Sequence, residues 1–339
     1  MSLWRASARL GRPVRAAGQL HEERPVLHLG IEHAGTSGVG QISPQPVALN
    51  GDPGVEDVLE ELTETLLTRL MRLVAREGEP PAWARASTLV DERPAGRFAG
   101  ALLEMALLTR ELSVRGESSA VLWPAQYATP LQQTVSVLGP EAPWRLEPTV
   151  ARVRVKTAPG AMSDAALARV GGLGVPVLLD FNASALGAEE VIAQARAVQS
   201  VARLDAVEQP FAPGNLAEMA RLAERLDVDL SVDEGLRGES DLTQIVRYGA
   251  ARVLCVKPAR VGGYARARGL IERARDLGLR VYLGGFFETA RPRQLNRVFA
   301  ASCVSEPSDI GEVELLDTGP HGPGPTDVPR GAALVAEWS

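Results

Sequence analysis

The chain of 339 residues is 45% hydrophobic and 23% charged, with a formal net charge of −6. That composition supplies a large apolar core and excludes a mainly disordered chain; the acidic balance argues against a nucleic-acid partner, and no run of about 18 apolar residues is present to cross a membrane. Only Cys255 and Cys303 are cysteines, which excludes a disulfide framework and leads to the expectation of a reducing, cytoplasmic setting.

Residues 1–18 carry Arg5, Arg9, Arg12 and Arg15 with no acid and without the apolar core of a secretory signal. A first strand followed by a mobile loop is expected there. Residues 26–32 alternate as a strand, with residues 38–42 as its partner. Helical spacing of Val58, Leu59, Leu62, Leu66, Leu67 and Leu70 predicts an amphipathic helix over 55–76. Leu102, Leu103, Met105, Ala106 and Leu107 predict a second over 96–115, so this first third reads as a small α+β unit.

From about residue 134, short apolar runs alternate with helical stretches. The runs cover 134–138, 150–156, 175–180, 206–208, 228–233, 253–257, 281–284 and 301–304. Helices fit between them at 163–173, 187–202, 215–226, 240–248, 263–278 and 290–299. Such alternation, with nearly continuous apolar strands, indicates a parallel sheet. Eight strands suggest a closed (β/α) barrel. An open doubly wound sheet is the alternative, weakened because no Gly-x-Gly-x-x-Gly follows an early strand. The Pro- and Gly-rich residues 319–330 are expected to run over the surface.

Of the 36 basic residues, all but Lys156 and Lys257 are arginine. Arginine is effectively always charged, whereas a lysine amine can shift its pKa and act as base or nucleophile. The two exceptions are therefore candidates for chemistry. Lys156, Asp180, Glu208, Asp233 and Lys257 end five successive predicted strands at spacings of 24, 28, 25 and 24 residues, about one βα unit each. At the C-terminal ends of barrel strands these side chains converge on one mouth. Taken singly, Asp180 or Asp233 reads as a helix cap, Glu208 as the buried partner of an arginine, and Lys257 as a solvated strand end. Taken jointly, three acids in one mouth repel one another unless a cation neutralises them. The two lysines could do so as salt bridges; a divalent ion is the better answer, and oxygen ligands favour Mg²⁺ or Mn²⁺. His21, His28, His33 and His321 all lie outside the predicted barrel, which excludes a histidine base or a Ser-His-Asp triad built within it. Cys255 stands two residues before Lys257 on the same strand face and reads as a small core hydrophobe inside the barrel.

Amines facing each other across a metal suit removal of a proton next to a carboxylate. A metal on the carboxylate oxygens stabilises charge where it develops. A lysine beside a divalent ion is expected to have its pKa lowered towards neutrality, so that it can accept the proton. Lysines on opposite walls permit two-base racemisation; one base and a leaving group permit β-elimination.

At these residues the sequence resembles the enolase superfamily, in its muconate-lactonising-enzyme subgroup, from about Leu102 to Leu316. Arg154-Val155-Lys156 is similar to the Lys-x-Lys of the second barrel strand, Asp180-Phe181-Asn182 to the Asp-x-Asn after the third, and Glu208-Gln209-Pro210 to the Glu-Gln-Pro ending the fourth. Ser231-Val232-Asp233-Glu234 is similar to the third-ligand motif, and Lys257-Pro258-Ala259-Arg260-Val261-Gly262-Gly263 to the sixth-strand lysine motif. Gly284-Gly285-Phe286-Phe287-Glu288-Thr289 and Ser308-Asp309-Ile310 resemble segments of o-succinylbenzoate synthases and N-succinylamino acid racemases.

The resemblance implies a modified (β/α)7β TIM-type barrel over 131–310, with an α+β capping domain over 1–130 completed by 311–339. It implies Mg²⁺ on Asp180, Glu208 and Asp233 and an acid/base pair of Lys156 and Lys257. In the synthase reaction Lys156 takes the proton and Lys257 stabilises the intermediate through charge and ring contact; in the racemase reaction both exchange protons. Arg154, Asn182, Gly284, Gly285, Phe286, Glu288 and Asp309 are the expected substrate-binding residues. The partner is then a small-molecule carboxylate, with no nucleic acid and no membrane; a homo-oligomer is compatible, and the synthase outcome implies menaquinone biosynthesis.

The chain departs from the family in places. Arg154 replaces the first lysine of its pair, which suggests that the position needs charge rather than proton transfer. Ala290-Arg291-Pro292-Arg293 replaces a Gly-rich continuation, and Pro292 fits only the first turn of a helix. The loop expected at 12–24 is short. Phe286 and Phe287 read equally as pocket lining or as core. Asp309 lacks the second acid of dipeptide epimerases, which ranks that reaction lower, with cycloisomerisation a further option. A Schiff-base aldolase using Lys257 leaves the acid ring unexplained, and a non-catalytic barrel leaves both lysines unexplained.

Overall fold

The computed structural model of the chain describes residues 1–16, 19–138, 144–310 and 333–337. The expected surface tail at 319–330, His321 and most of the segment expected to complete the cap lie outside them.

The N-terminal third forms an antiparallel sheet of β1 (Ser2–Ala16), β2 (Gln19–His33) and β3 (Thr36–Ile42), with β11 (Ala333–Glu337) added on the far edge beside β1. Within the loop expected at 12–24, residues 12–16 and 19–24 are instead strand, with Val14 paired to His21 and Ala16 to Gln19. Pairing satisfies backbone groups that a loop would leave to water. The alternation behind it is faint in the sequence because its buried members, Ala6, Ala8 and Leu10, are mostly small, while Ser7 and Arg9 face solvent.

Helix α1 (Val55–Glu60) passes through a π-helical stretch (Glu61–Leu66) into α2 (Leu67–Glu77). Helix α3 (Pro94–Arg115) opens on a proline and stops at Gly116, whose φ of 63° suits only a residue without Cβ strain. The short α4 (Ser119–Leu122) follows. β3 lies against α3 at close range, because a Cβ on Gly40 would meet the Leu102 carbonyl and one on Gly38 the Ala106 carbonyl. Thr109 Oγ1 ties the contact, accepting from Val39 N at 2.8 Å.

The rest of the chain builds a parallel sheet in the order β10-β9-β8-β7-β6-β5-β4. Its strands are β4 (Leu131–Ser136), β5 (Val150–Lys156), β6 (Val177–Asp180), β7 (Leu204–Glu208), β8 (Asp229–Val232), β9 (Val253–Val256) and β10 (Arg280–Leu283). Between them run α5 (Asp164–Gly171), α6 (Ala188–Gln199), α7 (Leu216–Ala223), α8 (Glu239–Tyr248), α9 (Pro258–Val261) and α10 (Tyr264–Asp276), and α11 (Ala290–Cys303) follows β10. Outward residues such as Val153, Val155, Leu179 and Val207 join the helices in one core.

The run at 301–304, expected as the last strand, is a correction: residues 301–303 are the final turn of α11. A four-residue apolar run cannot distinguish a strand from the buried end of a helix. The sheet is closed instead by Ser308 and Asp309, which bridge in parallel to Leu131 and Gly284. Ser308 O accepts from Gln132 N and Leu283 O from Asp309 N, both at 2.9 Å. The fold is therefore an α/β barrel of the (β/α)7β type beside a separate antiparallel sheet. No helix among the described residues is long and apolar enough to cross a membrane.

Glu104 of α3 joins the two layers. It accepts from Tyr264 N and from Ala265 N, the latter at 3.2 Å, and so caps α10. Gly263, at φ 120°, leaves room for it, since a Cβ there would strike the carboxylate. Burial pushes the Glu104 carboxyl up to about 8, against the pull of these two N–H donors.

Two measurements test this packing. Gly40→Ala should cost at least about 2 kcal/mol in urea unfolding, because helix and strand must part to admit a methyl group; an unchanged midpoint would contradict the close approach. The folded pKa of Glu104 lies above its ordinary value of 4.5. Its contribution to stability is therefore full below that value and is lost as pH rises towards about 8. Glu104→Gln should flatten the decline of Tm across that window, and an unaltered slope would assign the decline to another group.

Candidate active site

The alternation of β5 aims Arg152, Arg154 and Lys156 into the barrel, one above the other, while Val153 and Val155 face the helices. Arg152 seals the lower end. Its Nη1 lies 2.6 Å from Asp205 Oδ2, and its guanidinium sits over the Tyr282 ring at 4.9 Å. Arg280 extends this floor to Asp229 at 3.2 Å and Glu306 at 2.8 Å. Above it, Leu178, Ala206, Val253, Cys255 and Tyr282 fill the axis.

The five strand-end residues meet at the upper mouth. Asp180, Glu208 and Asp233 are no more than 1% exposed. Lys156 Nζ donates to Asp180 Oδ2 at 3.0 Å, and Lys257 Nζ donates to Asp233 Oδ2 at 2.9 Å. Between them stands the Arg154 guanidinium. Its Nη2 lies 2.8 Å from Asp180 Oδ2, 3.2 Å from Asp233 Oδ2 and in closer contact still with Glu208 Oε1. Its Nη1 donates to Asp309 Oδ2 at 3.1 Å.

These contacts set the electrostatics. Burial raises all three acids, but Arg154 and Lys156 hold Asp180 below its ordinary value. Lys257, Arg260 and Arg154 hold Asp233 further below. Glu208 has only Arg154 as a cationic partner and two like charges nearby, so burial pushes it up to about 8. Burial works to lower the Lys257 amine, yet the Asp233 carboxylate holds it above its ordinary value.

The loops fix the ring from outside. Asn182, at φ 44°, accepts from Lys156 Nζ at 2.7 Å and donates to Glu234 Oε1 at 3.2 Å. Gln209 Oε1 accepts from Asp233 N at 3.1 Å and Gly235 N at 3.0 Å, which orients the third acid. Gly284 makes room for the sixth-strand lysine: a Cβ would fall 2.9 Å from Lys257 Cε and 2.5 Å from Cys255 Sγ. Gly285 does the same for Glu288, whose Oε2 would lie 2.5 Å away. Glu288 stands apart from the acid ring, accepting from Asn296 Nδ2 at 3.3 Å. Phe286 is buried against Phe98 of α3, with Lys257 Nζ 4.8 Å and Arg260 Cζ 4.9 Å from its ring centre. Phe287 packs with Ala6, Ala8, Leu10 and Val26 under the Arg24 guanidinium.

Three participants escape sequence reasoning. Tyr282 donates its hydroxyl to Glu208 Oε2; its place two residues before Gly284, on the inward face, is a usable signal. Arg260, one turn of α9 beyond Lys257, contacts Asp233 Oδ1 at 2.5 Å and Asp52 Oδ1 at 2.7 Å. Asp52 lies 208 positions away in the chain, and nothing local points to it.

The donor set suits a hard divalent cation. Three carboxylates surround a single point that now holds positive charge, and an ion there would have oxygen ligands on three sides. Among the described residues, single donor atoms of Glu208, Asp233 and Cys255 lie within 4.8 Å of one another. The Cys255 thiol, expected to be plain core, therefore also borders the ring, although burial pushes its pKa well up.

Residues 150–334 match the enolase C-terminal domain-like family. The chain is 26% identical to an o-succinylbenzoate synthase of Enterococcus faecalis over 89% of this chain and 82% of the relative. It is 27% identical to an N-succinylamino acid racemase of an Amycolatopsis species over 75% and 74% of the two chains. The structure of a substrate-liganded L-Ala-D/L-Glu epimerase from Bacillus subtilis superposes with a TM-score of 0.75 at 19% identity, covering 93% of this chain and 90% of that one, a likeness of fold. The family match spans more than half of the chain, across every strand that carries the acids and lysines, and the chain belongs to the enolase superfamily.

Proposed function

We propose that the chain is a Mg²⁺-dependent enzyme that removes the proton α to a substrate carboxylate, with Asp180, Glu208 and Asp233 as metal ligands and Lys156 and Lys257 as the acid/base pair. The observation that carries this reading is the placement of the only two lysines. Each amine is buried at the mouth and hydrogen-bonded to a different acid of one ring, Lys156 to Asp180 at 3.0 Å and Lys257 to Asp233 at 2.9 Å.

A divalent ion held by the three carboxylates would supply the positive charge that the substrate carboxylate needs as it becomes an enediolate. The chain's own residues do the rest. Lys156 Nζ takes the α-proton while Asn182 Oδ1 holds it in place. Lys257, fixed between Asp233 and the Phe286 ring, returns a proton to the opposite face, or stabilises the charge while a β-hydroxyl takes the proton back from the Lys156 ammonium and leaves as water. Thr134 and Asp309, joined at 3.0 Å, stand beside Arg154 as further contacts for the substrate.

Two outcomes share this first step: dehydration to o-succinylbenzoate, and racemisation of an N-acyl or N-succinyl amino acid. Supporting the first is the extent of the match to the Enterococcus faecalis synthase. Supporting the second is the presence of an amine on each side of the ring.

The test is proton exchange in D₂O, read by NMR, with N-succinyl amino acids and, in parallel, turnover of the cyclohexadiene precursor of o-succinylbenzoate. EDTA-sensitive loss of the α-proton signal is expected. Lys156→Arg should leave the fold intact and slow exchange and turnover about a hundredfold or more; full activity in that variant discards Lys156 as the base. Asp233→Asn should weaken calorimetric Mg²⁺ binding at least about tenfold, and unchanged affinity removes Asp233 from the ligand set.

A further inference from the structure

We infer that Arg154 is a tethered cation that fills the carboxylate ring when no metal is bound, so that a divalent ion enters by exchanging with its guanidinium, which then rests on Asp309. The inference rests on reading Asp180, Glu208 and Asp233 as an ion site. It adds that this chain carries its own competitor for that site.

Arg154 is 4% exposed, and its Nη2 contacts all three ring acids, the position an ion would need. A guanidinium cannot give way by losing a proton. A dication and a guanidinium repel each other strongly at the same oxygens, so ion entry requires the side chain to move. The structure provides a place to go: Nη1 already donates to Asp309 Oδ2 at 3.1 Å, and Asp309, at 25% side-chain exposure, lies on the open side of the ring. Thr134 Oγ1 holds that carboxylate from behind at 3.0 Å.

The exchange reduces ion affinity by the fraction of molecules in which the ring is free. Calorimetric titration of metal-free protein with Mg²⁺ should therefore give affinity about ten- to a hundredfold tighter for Arg154→Met than for the unaltered chain. The Met variant without metal should also melt at a lower temperature, because three buried acids lose a shared cation. Crystal structures of the unaltered chain grown with EDTA and with Mg²⁺ should place the guanidinium in the ring in the first and on Asp309 in the second. Equal or weaker binding by Arg154→Met, with the unaltered chain binding normally, overturns the exchange and leaves the ion site standing. Absence of Mg²⁺ binding in both overturns the exchange and the ion site together. Should the Met variant fail to fold, the two crystal structures decide alone: an ion in the ring beside an unmoved guanidinium overturns the inference.

Discussion

Three carboxylates buried together at the upper mouth must be matched by cations, and the upper barrel is organised around that need. A buried carboxylate without a partner is costly enough to protonate or to unfold its surroundings. Lys156, Arg154, Lys257 and Arg260 answer Asp180, Glu208 and Asp233, each reaching them from a different height or element. Glu208, with the fewest cationic partners, is the acid whose carboxyl rises.

The ring was legible from sequence because strand alternation and βα spacing are rigid rules. A residue at the end of each parallel strand goes to one rim whatever surrounds it, and an arginine-rich chain makes its two lysines conspicuous. The destination of Arg154 was not legible. Spacing places it inside the barrel, but whether its head faces the substrate or the acids depends on distances across the barrel that no local pattern encodes. Asp52 is the stronger case, since its pairing with Arg260 joins a loop before α1 to the turn after β9. The last strand was misread at 301–304 because hydrophobicity marked burial without direction, while the closing bridges come from Ser308 and Asp309 in a polar segment.

Glycines in the mouth make space for their neighbours. The missing Cβ atoms of Gly284 and Gly285 make room for Lys257 and Glu288. Likewise Gly263 admits a carboxylate from α3. Motif residues in this fold thus serve packing between the functional side chains as much as chemistry itself, and a motif match alone does not separate the two.

Phe286 ties the amine of Lys257 to the antiparallel layer, because the ring that faces the amine also meets Phe98 edge-on at 5.2 Å. The position of the amine is therefore set partly by a helix that contributes nothing to the mouth. A substitution in α3 can thus shift that amine while every strand-end residue stays the same, so the reach of the barrel mouth extends to that distant helix.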